Sequence, residues 1–414
     1  MNSQNSSEKQ AICLLFRVHQ PYRLKPYRFF DIGKDHSYFN QILNSDTLRK
    51  VSWESYLPVN DVLMKLIRKF GNGFKIALSI SGTAIEQMKR YVPEALESFR
   101  ELYKTGNVEL VAESYSNSLA LVTDKAEYKR QVDKQVKLLH CFFSCKPSAL
   151  INSHFLFSNE LADLASGMGF KVILADEVKK LTGRLDYNHS QENNSYPEIK
   201  IALRNNDLSD DISSRFSSRE WAEWPLTPKK YLGWLDGLEQ SPSPVNLFID
   251  YATFADKKNL STGILIFLQN FASKVVSSKR WHFKTVSEAA ETVLTVIKSE
   301  SPASDESRSV ERILASWIGN DLQQEALYSL YSALPIMASC NDNALRSDWY
   351  KLQSSDHFYY MSFEKSHDGK INRTFNPYDS PYDAFINYMN VMSDFLLRVN
   401  NYGYKHLPAN QNCL

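Results

Sequence analysis

Polar side chains with catalytic potential stand where apolar runs stop. Asp250 follows Val245-Asn246-Leu247-Phe248-Ile249, and Asp176 and Glu177 follow Ile173-Leu174-Ala175. Glu113 follows the run Val108 to Ala112, and His19 follows Ile12 to Val18. A buried strand that ends in a carboxylate holds that group on a rigid support and shows it to the space beyond. Carboxyl and imidazole groups so placed can give or take protons. The plainer readings are a helix cap or loop ion pair for Asp250 and Asp176, a solvated or capping Glu177, and a structural His19.

The runs that carry these groups repeat one order. Ile12 to Val18, Lys75 to Ile80, Val108 to Ala112, Lys171 to Ala175 and Val245 to Asp250 are short and apolar, with weaker runs near Ala149 to Phe155 and Glu198 to Leu203. Apolar positions at three- and four-residue spacing predict helices at Asp61 to Phe70, Thr83 to Tyr91, Glu94 to Thr105, Lys125 to Phe143, Gly263 to Lys274 and Val286 to Ile297. Strand, loop and helix in alternation predict parallel strands covered by helices, as an α/β barrel or an open α/β sheet. Asn188 to Tyr196 reads as an exposed loop and Ser299 to Val310 as a polar connector, with amphipathic helices expected at Arg312 to Leu334 and Ala384 to Asn400.

Composition narrows the function classes. The 48 basic and 47 acidic side chains nearly cancel, so no overall field draws the chain to nucleic acid or to an anionic membrane. No apolar run nears the roughly 18–20 residues that span a bilayer, and the polar first ten residues carry no secretory core, so a cytoplasmic protein is expected. Cys13, Cys141, Cys145, Cys340 and Cys413 are too scattered for a disulfide framework. The nine histidines form no close ligand motif and no Gly-rich phosphate loop occurs, so neither a metal nor an organic cofactor is expected. With 7 Trp, 22 Tyr and 23 Phe the chain is rich in flat apolar faces, which suit the stacking of sugar rings as well as a core.

Longer blocks point to one family. His19-Gln20-Pro21-Tyr22-Arg23-Leu24, Trp221-Ala222-Glu223-Trp224-Pro225, Trp317-Ile318-Gly319-Asn320-Asp321, Ser355-Asp356-His357-Phe358-Tyr359-Tyr360 and Asn376-Pro377-Tyr378-Asp379-Ser380-Pro381 closely resemble segments of the family 57, α-amylase-like glycoside hydrolases. The resemblance runs from about residue 10 to about residue 400. It implies an α/β fold, an incomplete (β/α)7 barrel in residues 1–298, a connector at 299–310 and a mainly helical C-terminal region at 311–414. It also implies a retaining action on α-1,4-glucan such as starch, glycogen or maltooligosaccharide. Two other readings on the same fold are a catalytically inactive glucan-binding or regulatory protein and a 4-α-glucanotransferase.

The retaining reaction needs two carboxyl groups about 5–5.5 Å apart, one attacking the anomeric carbon and one protonating the leaving oxygen. The resemblance puts Asp250 at the acid/base position and Asp176 at the nucleophile position, where relatives carry Glu. Asp is one methylene shorter, a loss of reach of roughly 1.5 Å. In the acid motif Ala252 replaces a Glu, Ala255 a Gly, Asp256 a second Glu and Lys257 a His, and a lowered pKa for Asp250 is the expected consequence of Lys257. Asn117 stands where relatives have a substrate-binding His. His19, Glu113, Asn117, Trp221, Trp224, Asp256, Lys257, Asp356 and His357 are the expected substrate contacts.

Overall fold

The structure, a computed structural model, describes residues 9–176, 191–193, 196–239, 243–291, 314–363 and 376–406. Among them, seven parallel strands form the barrel wall. β1 (Gln10–Val18) pairs with β2 (Ile76–Ile80), and β2 with β3 (Val108–Val111). A single bridge, Ala112 to Leu150, joins β3 to β4 (Ala149–Ile151), which pairs with β5 (Val172–Ala175). β6 (Gln191–Asn193) runs antiparallel to β7 (Tyr196–Leu203), while β7 itself pairs in parallel with β5. A second lone bridge, Arg204 to Asn246, joins β7 to β8 (Val245–Asp250), and β8 returns to β1. Two of the seven seams therefore hang on one bridge each, which makes the cylinder incomplete.

Side chains alternate across each strand. Leu14, Phe16, Leu78, Ile80, Leu110, Leu247 and Ile249 point outward and join the cluster formed with the surrounding helices, among them Leu57–Phe70, Pro93–Lys104 and Ile264–Ser277. Cys13, Leu15, Ala77, Val111, Ile151, Leu174, Ala202 and Phe248 form a separate cluster that fills the barrel. Val286, Ala289 and Ala290 of the helix Val286–Glu291 close this inner cluster from the far end. Ser287 anchors that helix by donating its backbone N–H to Glu109 at 3.0 Å. The open end is the one toward which the strands run.

Over that end sits the helical C-terminal region. Helices Asp321–Tyr331, Asn343–Leu352, Ser355–Tyr359 and Pro381–His406 share one apolar cluster with Leu24, Tyr27, Tyr38, Tyr115, Leu119 and Leu156, which lie on the loops after β1, β3 and β4. Burial of those loop side chains holds the helices against the barrel.

Some expectations need revision. Within the span expected as a loop, Gln191 to Asn193 form a strand laddered to β7, because β7 offers an edge there that pairing satisfies. The short strand β9 (Trp281–Phe283), which pairs with the start of β1, was not expected, since three residues are too few to show a period. The helix expected from Val286 is described only to Glu291, and the connector lies outside the described residues. No described helix is long and apolar enough to cross a membrane.

Candidate active site

The inward series Leu15, Ala77, Val111, Ile151, Leu174, Ala202 and Phe248 is apolar. Two residues further along each strand direction come Arg17, Ser79, Glu113, Ser153, Asp176, Arg204 and Asp250. Because the side-chain period is two, the same alternation that packs the barrel aims these polar groups into its mouth.

β1, β2 and β3 supply a cationic corner. The Arg17 guanidinium donates to Asn117 Oδ1 and lies 3.5 Å from Glu113, which in turn accepts from Ser79 Oγ at 2.8 Å. Asn117 adopts a left-handed backbone (φ 57°), which Asn tolerates better than most residues, and donates to Ser355 Oγ at 3.1 Å. His19 spans barrel and helices: Nδ1 is 2.8 Å from Ser81 Oγ, and Nε2 is 2.8 Å from the Asp356 carboxylate. Burial alone would raise the Asp356 carboxyl, but His19 and the Ser354 hydroxyl hold it well below the usual range. The pair is thus a carboxylate facing an imidazole across the interface of the two regions.

Asp250 pairs in register with Arg17 and accepts the Ala252 N–H at 3.0 Å. Burial pushes its carboxyl above the ordinary aspartate range, more than Arg17, the Ala252 amide and His19 pull it down. The expected lowering is therefore reversed: loss of water around the carboxyl outweighs the nearby cations. The Lys257 side chain lies outside the described residues.

Asp176 stands 3.8 Å from the Arg204 guanidinium. Arg204 also donates to Asn206, Asp210 and, from Nε at 3.4 Å, to the Phe248 carbonyl. By strand pairing Asp176 stands level with Arg204, and the lone bridge sets Arg204 level with Asn246, so Asp250, further along β8 than Asn246, stands nearer the opening. Between the strands that carry Asp176 and Asp250 lies β7 alone.

Several groups were not read from the sequence. His154 reaches Ser355 Oγ at 3.0 Å and stacks on Trp317, their ring centroids 3.6 Å apart; burial, then Arg17, depress its pKa well below the ordinary imidazole value. Arg17, Ser79 and Arg204 were legible in principle from the inward parity of their strands. Ser355 and Trp317 stand inside two of the family-like blocks, but their contacts with His154 arise only when the distant helical region folds over the mouth.

The other expected contacts have neighbours of their own. Trp221 packs edge-on to Trp234 against the outer cluster, and Trp224 is 37% exposed beside Arg219. Asp256 caps the short helix Lys257–Ser261 by accepting the Lys258 N–H at 2.7 Å. His357 is buried against Tyr388, and that burial lowers its pKa to about 4, so it is neutral core at pH 7. Glu177 lies outside the described residues.

Comparison with known proteins agrees with this architecture. Residues 13–299 match the model of Glycosyl hydrolase family 57. A protein of Methanocaldococcus jannaschii named "Putative alpha-amylase" is 31% identical over 398 residues, covering 92% of this chain and 83% of its own length. In fold, the chain is similar to the branching enzyme of Pyrococcus horikoshii (TM-score 0.63, 12% identity, 89% and 88% of the two chains covered). It is likewise similar to the 4-alpha-glucanotransferase of Thermococcus litoralis (TM-score 0.59, 14% identity), of which it spans 56% while 85% of this chain is covered. With matched barrel, matched sequence over most of its length and carboxylates at the mouth, this chain belongs to glycosyl hydrolase family 57.

Proposed function

We propose that the chain binds an α-1,4-linked glucan across the mouth of the barrel and processes it with retention of anomeric configuration. The observation that carries this reading is Asp250, a carboxyl held at the end of β8 whose burial favours the protonated form. A general acid at pH 7 needs such an environment. Asp176, beside Arg204, is the carboxylate available as nucleophile. Its oxygen attacks the anomeric carbon as Asp250 gives its proton to the departing glycosidic oxygen, leaving a glycosyl ester. Asp250, now a base, takes a proton from water or from a sugar hydroxyl, whose oxygen displaces Asp176 and restores it.

His19, Glu113, Asn117 and Asp356 surround this chemistry with hydrogen-bonding groups suited to sugar hydroxyls. The glucan substrate class is supported by the family and by relatives named for amylase, branching and glucanotransferase activities. Transfer competes with hydrolysis whenever a sugar acceptor reaches the ester first, so 4-α-glucanotransferase action is part of the same proposal. The reading keeps the protein in the cytoplasm, without nucleic acid as a partner.

A binding-only reading has three features of Asp176 in its favour. Asp176 lies level with Arg204 and Asn246, short of Asp250 along the barrel, is a methylene shorter than Glu, and is engaged by Arg204. Incubation with maltoheptaose and with glycogen, followed for both reducing ends and chain-length redistribution, separates the readings. Turnover that Asp250→Asn and Asp176→Asn each reduce by about 10³-fold or more supports the retaining reaction. Glucan binding without any turnover between about pH 4 and 8 would leave only the binding function.

A further inference from the structure

We infer that Phe155 is a positioning residue that sets Asp176 against Asp250. This rests on the retaining reading above.

The loop after β4 is built unusually. His154 and Phe155 both have φ 58°, two successive non-glycine residues in the left-handed region. His enters that region more readily than most residues but Phe does not, so tertiary contacts must hold the pair. From one side His154 is held by Ser355 and Trp317 of the helical region. On the other, the Phe155 ring stacks on Phe248, with centroids 5.5 Å apart and planes 17° from parallel, and the Arg204 guanidinium lies 5.8 Å from its centre.

That ring touches a neighbour of each carboxylate. Phe248 is two residues before Asp250 on the same strand face, and Arg204 is the ion-pair partner of Asp176. The backbone completes the link, because the Phe155 carbonyl accepts the Asp176 N–H at 2.8 Å. An ordinary right-handed turn at 154–155 would swing this carbonyl and this ring elsewhere. The left-handed pair thus uses one residue to hold the end of β5 by its carbonyl and to fix its spacing from β8 by its ring. A nucleophile one methylene short has little tolerance for a looser wall, since errors near 1 Å cost about a hundredfold.

The test combines kinetics with titration. Phe155→Ala is expected to lower kcat about a hundredfold with KM changed by no more than about twofold, because sugar contacts are left in place. Asp176→Glu is expected to lower kcat in the native background and to restore part of it in the Phe155→Ala background, where the wall has relaxed. Where the alanine variant does not fold, Phe155→Leu, which keeps apolar bulk but has no flat face, is expected to show the same pattern at about a tenfold scale. An unchanged kcat, a loss confined to KM, or an equal effect of Asp176→Glu in both backgrounds overturns the inference.

A readout without turnover keeps the two proposals apart. The groups that face Asp250 are Arg17, His19, Asp356, Tyr56 and the Ala252 N–H. All of them remain in Phe155→Ala, so a fall of the Asp250 carboxyl toward the ordinary range, followed by carbon NMR, reports water admitted where the ring had been. No fall overturns the role of Phe155. Absence of turnover in the native chain, with that fall present, counts against the retaining reaction alone.

Discussion

Asp250 carries opposed demands of function and stability. The folded chain holds its proton more tightly than the unfolded chain, whose aspartates titrate near about 3.9. Its stabilising contribution is therefore present in full below that value and is lost as pH rises through the raised folded value. Asn cannot ionise, and its amide oxygen can still accept the Ala252 N–H. Asp250→Asn is expected to abolish turnover yet to melt at a higher temperature than the native chain at pH 7. The gain should shrink toward pH about 3.5, which thermal scans at several pH values would show. A variant less stable than native at pH 7 would mean that the ionised carboxyl is well solvated after all.

At the scale of elements, the close packing of loop against helix explains a glycine. Gly82 opens the helix Gly82–Tyr91 after β2, and a Cβ built on it would fall 2.1 Å from the Tyr115 ring of the β3 loop. Tyr115 is buried, its hydroxyl donates to Glu86 at 2.6 Å, and its carbonyl accepts the Thr83 N–H at 3.1 Å, so the ring has nowhere to retreat. Gly82→Ala is expected to cost about 1–3 kcal/mol, measurable by denaturant unfolding. Since Tyr115 precedes Asn117 by two residues, the same substitution should weaken glucan binding. A neutral effect on both would show that the β3 loop is more pliant than its contacts imply.

For the whole molecule, the site exists only while the helices sit on the barrel. His19 belongs to β1's end, its partner Asp356 to the helical region, and the two are 337 positions apart in sequence. Asp394 makes a second tie, buried on the helix Pro381–His406, where it accepts from Gly33 N–H at 2.7 Å, from Tyr38 at 2.6 Å and from His36 Nδ1 at 2.8 Å. Asp394→Ala removes one acceptor from three donors. It is expected to cost about 2–4 kcal/mol and to lower glucan affinity although residue 394 is not in the mouth. Calorimetric unfolding and isothermal titration with maltoheptaose would check both, and unchanged affinity would mean that the helices hold the mouth without this tie.

What the amino-acid order determined by itself was the architecture and the family. Apolar runs such as Ile12 to Val18 and Val245 to Ile249 are local patterns, and so are the helical spacings of Lys125 to Phe143, which the structure reproduces residue for residue. Asp176 and Asp250 were legible as candidates because they stand where such runs stop, Asp250 at the acid position of the family motif and Asp176 where relatives carry Glu. The tertiary structure alone decided the rest. Trp221 packs on Trp234 and Asp256 caps a helix, contacts that no local pattern announces, while Arg17, Arg204 and His154 enter the mouth through strand parity and loop conformation. The acidity of Asp250 was misread for the same reason: charge type is written in the chain, but the loss of water that outweighs it appears only when distant segments close around the carboxyl.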